Sequence, residues 1–354
     1  MIVKSALKSY SVELIDSFPK KLNQDYSDKN YYVIDENIYR LYSGAFDFIP
    51  SDRLYRLEAV EENKNIDTAI KICETMTSMP SKRNTRLVSV GGGVIQDVSG
   101  FVASVLYRGI AWTFYPSTLL AACDSCIGSK TSLNCSGFKN LLGTFFPPDN
   151  IYIDPSFFDT LSDKDFASGL GEIVKFSVIK RNGEDINNYI DALLHRDRAT
   201  LEKFVLNSLQ LKKFYIEKDE FDKKERVLLN YAHTFGHAFE VTSDFLIPHG
   251  TAVALGMVVA NRISANRYSL PEQLLKEMEA PVRRIVRLKL KSQWFEPTQI
   301  LRAIRKDKKQ LDSNINAVLL QDDLSLKRVN DVTEKEVLDA LQYLIKTFEE
   351  EGNG

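Results

Sequence analysis

The stretch Leu87-Val88-Ser89-Val90-Gly91-Gly92-Gly93-Val94-Ile95-Gln96-Asp97-Val98-Ser99-Gly100 constrains this chain more than any other. It reads as a buried strand, a glycine turn and the opening of a helix. A turn of this kind lets backbone N–H groups approach a pyrophosphate at a helix N-terminus, where the dipole also favours an anion. Glycine turns after strands also serve as plain structural punctuation. The spacing departs from GxGxxG, so the ordinary dinucleotide fingerprint is absent.

The rest of the first half repeats the rhythm of this stretch. Tyr31-Tyr32-Val33-Ile34 and Arg86-Leu87-Val88-Ser89-Val90 are β-branched or aromatic runs set between helical patterns, which implies an α/β unit with a mainly parallel, Rossmann-like sheet. From Ser162 onward the strand signals fade, and 163–180, 199–218 and 251–268 carry apolar residues at three- and four-residue spacing. The second half is therefore expected to be mostly α-helical. A length of 354 residues fits two domains, 1–160 and 161–354. No linker rich in Gly, Pro or Ser separates them, so a packed boundary with the active site in its cleft is expected.

Composition removes several function classes. A net charge of −2 gives no field to hold a nucleic-acid backbone. The segment Met1 to Ser5 is not a charged stretch leading into an apolar one, and no window approaches the ~18 apolar residues of a membrane span. A cytoplasmic protein is expected. Four cysteines make no disulfide framework. Cys123 and Cys126 form a CxxC that would suit redox chemistry or half a zinc site, but no second CxxC accompanies it.

Two further segments carry polar chemistry. Asp124 to Thr131 and Gly137-Phe138-Lys139-Asn140 place Lys130, Lys139 and Asn140 among small residues, as a solvated loop or as the lining of a pocket for an anionic ligand. Three of the four histidines, His233, His237 and His249, fall within seventeen residues. His233 and His237 share a face if helical. A catalytic zinc site takes three ligands from His, Glu or Asp, and Glu172, in the apolar setting Gly169 to Val174, is the natural carboxylate. His195, followed by Arg196, Asp197 and Arg198, reads as surface.

Taken together the motifs resemble the 3-dehydroquinate synthase family. They are Gly91 to Asp97, Tyr107-Arg108-Gly109, Pro116 to Leu120, Asp124 to Lys130, Lys139-Asn140, Gly171 to Lys175, Leu229 to Ala238, His249-Gly250 and Asp307-Lys308-Lys309. The resemblance implies metal ligands Glu172, His233 and His249, with His237 on the substrate side. It implies a substrate pocket of Asp124, Lys130, Lys139, Asn140, Lys175, Lys212, Arg226 and Asn230. For NAD it implies Asp35, Asn37, Glu61, Lys64, Gly91, Gly92, Gly93, Asp97, Ser117 and Thr118, with Lys139. Arg108 would reach a neighbouring subunit's phosphate site, which implies a homodimer.

In this family bound NAD oxidises a ring hydroxyl, phosphate is eliminated, the ketone is reduced again, and ring opening and aldol closure follow. The implied metal is zinc, or cobalt in its place. The chain departs from the family pattern at Val60, Ser129, Ser132, Phe221 and Ala232. Related cyclases make deoxy-inosose or valiolone-type cyclitols from other sugar phosphates. Lys212, Arg226, Asn230 and His237 together favour a carboxylated seven-carbon sugar phosphate. A glycerol dehydrogenase-like alcohol oxidoreductase is a further alternative, but its pocket would not need so many cations.

Overall fold

The computed structural model describes residues 1–180, 185–306 and 314–349. The chain forms two compact units, Met1–Leu161 with Lys212–Phe221, and Ser162–Leu211 with Asp222–Gly354.

The first unit is built on nine strands: β1 (Ile2–Val3), β2 (Tyr10–Leu14), β3 (Asn30–Asp35), β4 (Leu54–Leu57), β5 (Arg86–Gly91), β6 (Ala111–Pro116), β7 (Lys130–Cys135), β8 (Phe138–Phe145) and β9 (Asn150–Ile153). Its helices are α1 (Phe18–Gln24), α2 (Glu36–Leu41), α3 (Ile66–Thr77) and α4 (Gly93–Val105). Seven strands make one sheet in the order β1-β2-β9-β6-β5-β3-β4, parallel except where β1 meets β2. In β5 every residue after Arg86 is buried, as a strand covered on both faces requires. Its register sets Val88 between Tyr32 and Thr113. The glycine turn joins β5 to α4 as the sequence predicts.

The segment after Cys126 departs from the loop reading, because β7 and β8 pair as an antiparallel hairpin of their own. The turn between them is Ser136-Gly137, with φ of 51° and 77°, the double left-handed geometry that matches hairpin twist.

The second unit carries α5 (Asp163–Lys180), α6 (Ile190–Leu194), most of α7 (Arg198–Lys218), α8 (His233–Thr242), α9 (His249–Tyr268), α10 (Glu272–Ile285), α11 (Pro297–Lys306) and α12 (Glu334–Glu349). The three helical stretches expected from spacing fall on α5, α7 and α9. A helix apolar or small all round must be central, and α9 is buried at nearly every position from Gly250 to Ala265. It packs against α5, α8, α10 and α12. Among the described residues one hairpin, β10 (Ile315–Leu320) with β11 (Leu326–Val332), interrupts the helical pattern. Among the described residues no helix is long and apolar enough to cross a membrane.

Candidate metal centre and anion-binding residues

Three helices of the second unit bring their polar side chains to one point. Glu172 lies in the buried middle of α5, His233 opens α8 and His249 opens α9. Ligand atoms of the three lie within 4.8 Å of one another. Each imidazole has its Nδ1 occupied, His233 by the Tyr231 carbonyl at 3.0 Å and His249 by Glu240 Oε2 at 3.1 Å. That leaves both Nε2 atoms turned to the same oxygen, Glu172 Oε1, at 3.6 and 3.4 Å. The other oxygen, Oε2, is held by Lys175 Nζ at 2.5 Å.

Glu172 is 0% exposed and Lys175 2%. A carboxylate buried to this degree needs compensating positive charge. Two imidazoles oriented by their outer nitrogens, with one carboxylate oxygen at the same point, are a donor set suited to zinc or cobalt. Burial opposes charge on His249, but Glu240 and Glu172 outweigh it and push its pKa up to about 10. A cation at this point would take over that role. His237 also belongs to the cluster, in a second group with Glu240 and His249.

Backbone contact sets the convergence of the helices. A Cβ on Gly250 would lie 1.8 Å from the Ser168 carbonyl oxygen, and one on Gly171 2.0 Å from that of Gly250. Only glycine permits α5 and α9 to cross this closely, and each glycine adjoins a ligand. Ala232, where the family pattern has glycine, takes φ +70° at the N-cap of α8.

In the first unit the polar residues gather at the carboxyl ends of the parallel strands, where open α/β sheets bind ligands. Asp35 ends β3 and Asn37 follows it, Glu61 and Lys64 follow β4, Gly91 ends β5 with Gly92 and Gly93 leading into α4, and Ser117 and Thr118 follow β6. Asp35 caps α2 by accepting from the Asn37 N–H, and burial raises its pKa. Lys64 Nζ sits 2.5 Å from Asp97 Oδ2 and 2.6 Å from Asn140 Oδ1. Ser132 Oγ is within hydrogen-bond distance of both acceptors, at 2.9 and 2.8 Å. Burial raises the Asp97 pKa, and Lys64 opposes the shift. Lys139 Nζ lies 3.9 Å from Glu61. Asn140 takes a left-handed φ of 54°, which asparagine tolerates.

Lys212, at the far end of α7, binds Asp124 twice, at the carbonyl oxygen (2.7 Å) and at Oδ1 (2.8 Å). Lys130 is exposed at the start of β7. In the second unit Arg226 is 5% exposed on the 3₁₀ turn Glu225–Asn230. Asn230 lines a cavity of about 230 Å³ with Asp222, Thr234, Asn316 and Arg328. Arg108 is exposed after α4 with φ +67°. Asp307-Lys308-Lys309 lies outside the described residues.

Cys123 and Cys126 are buried free thiols that join neither metal-ligand group, and burial pushes Cys126 up to about 12, where it stays a thiol. His195 is exposed. Sequence reasoning missed Glu240, although its place three residues after His237 on one helix was a readable signal. It also missed Glu220, whose partners are remote in sequence.

A parallel α/β unit followed by a helical unit is a fold shared with solved synthases. A 2-epi-5-epi-valiolone synthase from Streptomyces hygroscopicus subsp. jinggangensis, solved with NAD+ and Zn2+, superposes with a TM-score of 0.84 at 24% identity, covering 97% of this chain and 99% of its own. A 2-deoxy-scyllo-inosose synthase complexed with carbaglucose-6-phosphate, NAD+ and Co2+ gives 0.83 at 24%, covering 96% and 98%. At these identities the likeness is one of fold. Glycerol dehydrogenase from Schizosaccharomyces pombe superposes less well, at 0.63 and 15% identity, covering 94% and 88%.

The chain belongs to the 3-dehydroquinate synthase family. Residues 54–168 match its N-terminal domain and 169–310 its C-terminal domain. The 3-dehydroquinate synthase of Clostridium tetani is 34% identical over 335 residues, covering 91% of this chain and 88% of its own.

Proposed function

We propose that this chain is a 3-dehydroquinate synthase that converts 3-deoxy-D-arabino-heptulosonate 7-phosphate to 3-dehydroquinate and phosphate. The observation that carries the reading is the convergence of Glu172, His233 and His249 in a chain that a 3-dehydroquinate synthase matches over 91% of its length. When bound, NAD takes up and returns a hydride, and a divalent metal, zinc or cobalt, supplies Lewis acidity at the reacting oxygens.

The chain's own residues do the rest. Glu172, His233 and His249 hold the metal, and Lys175 fixes the glutamate so that Oε1 points at the imidazoles. Asp35, Asn37, Glu61, Lys64, Gly91 to Gly93, Asp97, Ser117, Thr118 and Lys139 hold the cofactor at the strand ends. Lys130, Lys139, Asn140, Lys212 and Arg226 bind the phosphate and carboxylate, and fixed positive groups where charge develops are usually the largest catalytic contribution. Asp124 anchors Lys212, and Asn230 and His237 orient the sugar hydroxyls. The departing phosphate can accept the proton, so no dedicated protein base is needed. Arg108 would complete the phosphate site of a second copy in a homodimer.

The test is inorganic phosphate release from the heptulosonate phosphate with catalytic NAD. Turnover with no accumulation of NADH is expected, and steady growth of NADH would move the chain to the dehydrogenases. The fold likeness to valiolone and inosose synthases favours a second reading, a cyclitol-forming enzyme. Arg226→Ala separates the two. The loss of a charge-assisted contact worth about 1.5–3 kcal/mol should cost about one to two orders of magnitude in kcat/KM on the carboxylated sugar, and much less on an uncarboxylated one.

A further inference from the structure

One buried carboxylate in the first unit ties together segments that are remote in sequence. Glu220, 8% exposed, accepts hydrogen bonds from Ser5 Oγ (2.5 Å), the Ala6 N–H (2.6 Å) and Ser129 Oγ (2.9 Å). Ser129 immediately precedes Lys130. Its φ is +64°, in the left-handed region that glycine enters without strain and serine does not. The serine is therefore kept at some conformational cost, and its hydroxyl bond to Glu220 is the compensating contact.

The neighbouring groups are anchored as well. The Gly128 N–H donates to Tyr10 Oη at 3.0 Å, and the Ser129 carbonyl accepts from the Phe146 N–H at 2.6 Å. Lys212 holds Asp124 at the other end of the loop. Lys212 and Glu220 belong to one segment, 212–221, so that segment grips the loop 124–129 at both ends.

We propose that Glu220 is a positioning residue for anion binding by Lys130. Acting through Ser129 Oγ, it fixes the point from which the Lys130 backbone leaves the loop, and it couples that point to the docking of the amino-terminal arm at Ser5 and Ala6. An ammonium on a four-carbon stem binds an anion well only if its base is fixed, because each added conformer is entropy lost on binding. The inference rests on the assignment of Lys130 to the phosphate-bearing substrate.

The variants are Ser129→Gly, which removes the hydroxyl and relieves the backbone, and Ser129→Asn, which tolerates left-handed φ and returns an N–H donor to Glu220. Calorimetry with inorganic phosphate as the probe should give a Kd about five- to tenfold weaker for Ser129→Gly, with Tm unchanged or higher. KM for the heptulosonate phosphate should rise in parallel while kcat stays within about twofold, and Ser129→Asn should restore both. Glu220→Ala, which leaves the Ser129 hydroxyl and the Ala6 N–H without their acceptor, should weaken phosphate binding in the same direction.

If Lys130→Ala abolishes phosphate binding and Ser129→Gly leaves it unchanged, the inference is overturned while the assignment of Lys130 survives. If neither variant affects binding, both fall. Weakened phosphate binding in Ser129→Gly, in a protein that does not turn over the heptulosonate phosphate, would support the inference and overturn the proposed function.

Discussion

The two charged clusters solve the problem of burial in opposite ways. At Lys64, Asp97, Ser132 and Asn140, the buried cation sits between a carboxylate and an amide oxygen of the same unit, so its charge is answered within the protein. At Glu172 the carboxylate faces Lys175 on one side and two imidazole nitrogens on the other, and those nitrogens are oriented by their own outer partners. The first arrangement is complete as it stands. The second gathers a donor set that suits a cation, and the difference predicts which site should depend on metal and which should not.

The sharpest way to break this contrast is His249→Ala. It should abolish metal content after dialysis and with it activity, while the affinity for NAD, read by equilibrium titration, stays within about twofold. A variant that kept stoichiometric metal would remove His249 from the ligand set. Glu240→Gln is the next largest effect. It disturbs the hydrogen bond that orients the His249 ring, and metal affinity measured against a competing chelator should fall about 10–100-fold. An unchanged affinity would show that the α9 backbone alone orients the ring.

On the other side of the comparison, Ser132→Ala should raise the KM for NAD roughly two- to tenfold and leave metal affinity untouched, since it removes one hydrogen bond from a cluster that retains its ion pair. Loss of metal in this variant would mean that the two sites are not independent. The smallest effect expected is from Ala232→Gly. Relief of the left-handed alanine should stabilise the protein by about 0.5–1 kcal/mol, visible as a modest rise in Tm.

Local chemistry was legible in the sequence. The glycine turn after β5, the helix at 163–180 and the grouping of Glu172 with the histidines all follow from spacing and residue type. The β7–β8 hairpin was not read, because its strands mix polar, small and exposed apolar residues with no clean alternation. Its Ser136-Gly137 turn was the one available signal. The β10–β11 hairpin was masked by the helical periodicity on either side of it. Contacts such as Glu220 with Ser5 and Ala6 span more than 200 residues, and nothing local encodes them. Even the orientation of His249 by Glu240, nine residues away, depends on the path taken between α8 and α9.

The return of Lys212–Phe221 to the first unit has a consequence for how the protein is made. When the ribosome has finished Leu161, every strand of the parallel sheet has been synthesised, but the segment that supplies Lys212 to Asp124 and Glu220 to Ser129 has not. At about 5–20 residues per second, the further 60 residues from Leu161 to Phe221 take roughly 3–12 s. Throughout that interval the loop before Lys130 lacks its two anchors from α7 and its continuation, while residues 162–211 of the other unit emerge in between. The nascent first unit must therefore wait, incomplete, for a piece of itself that arrives late, and a chain cut after Leu161 would never receive it.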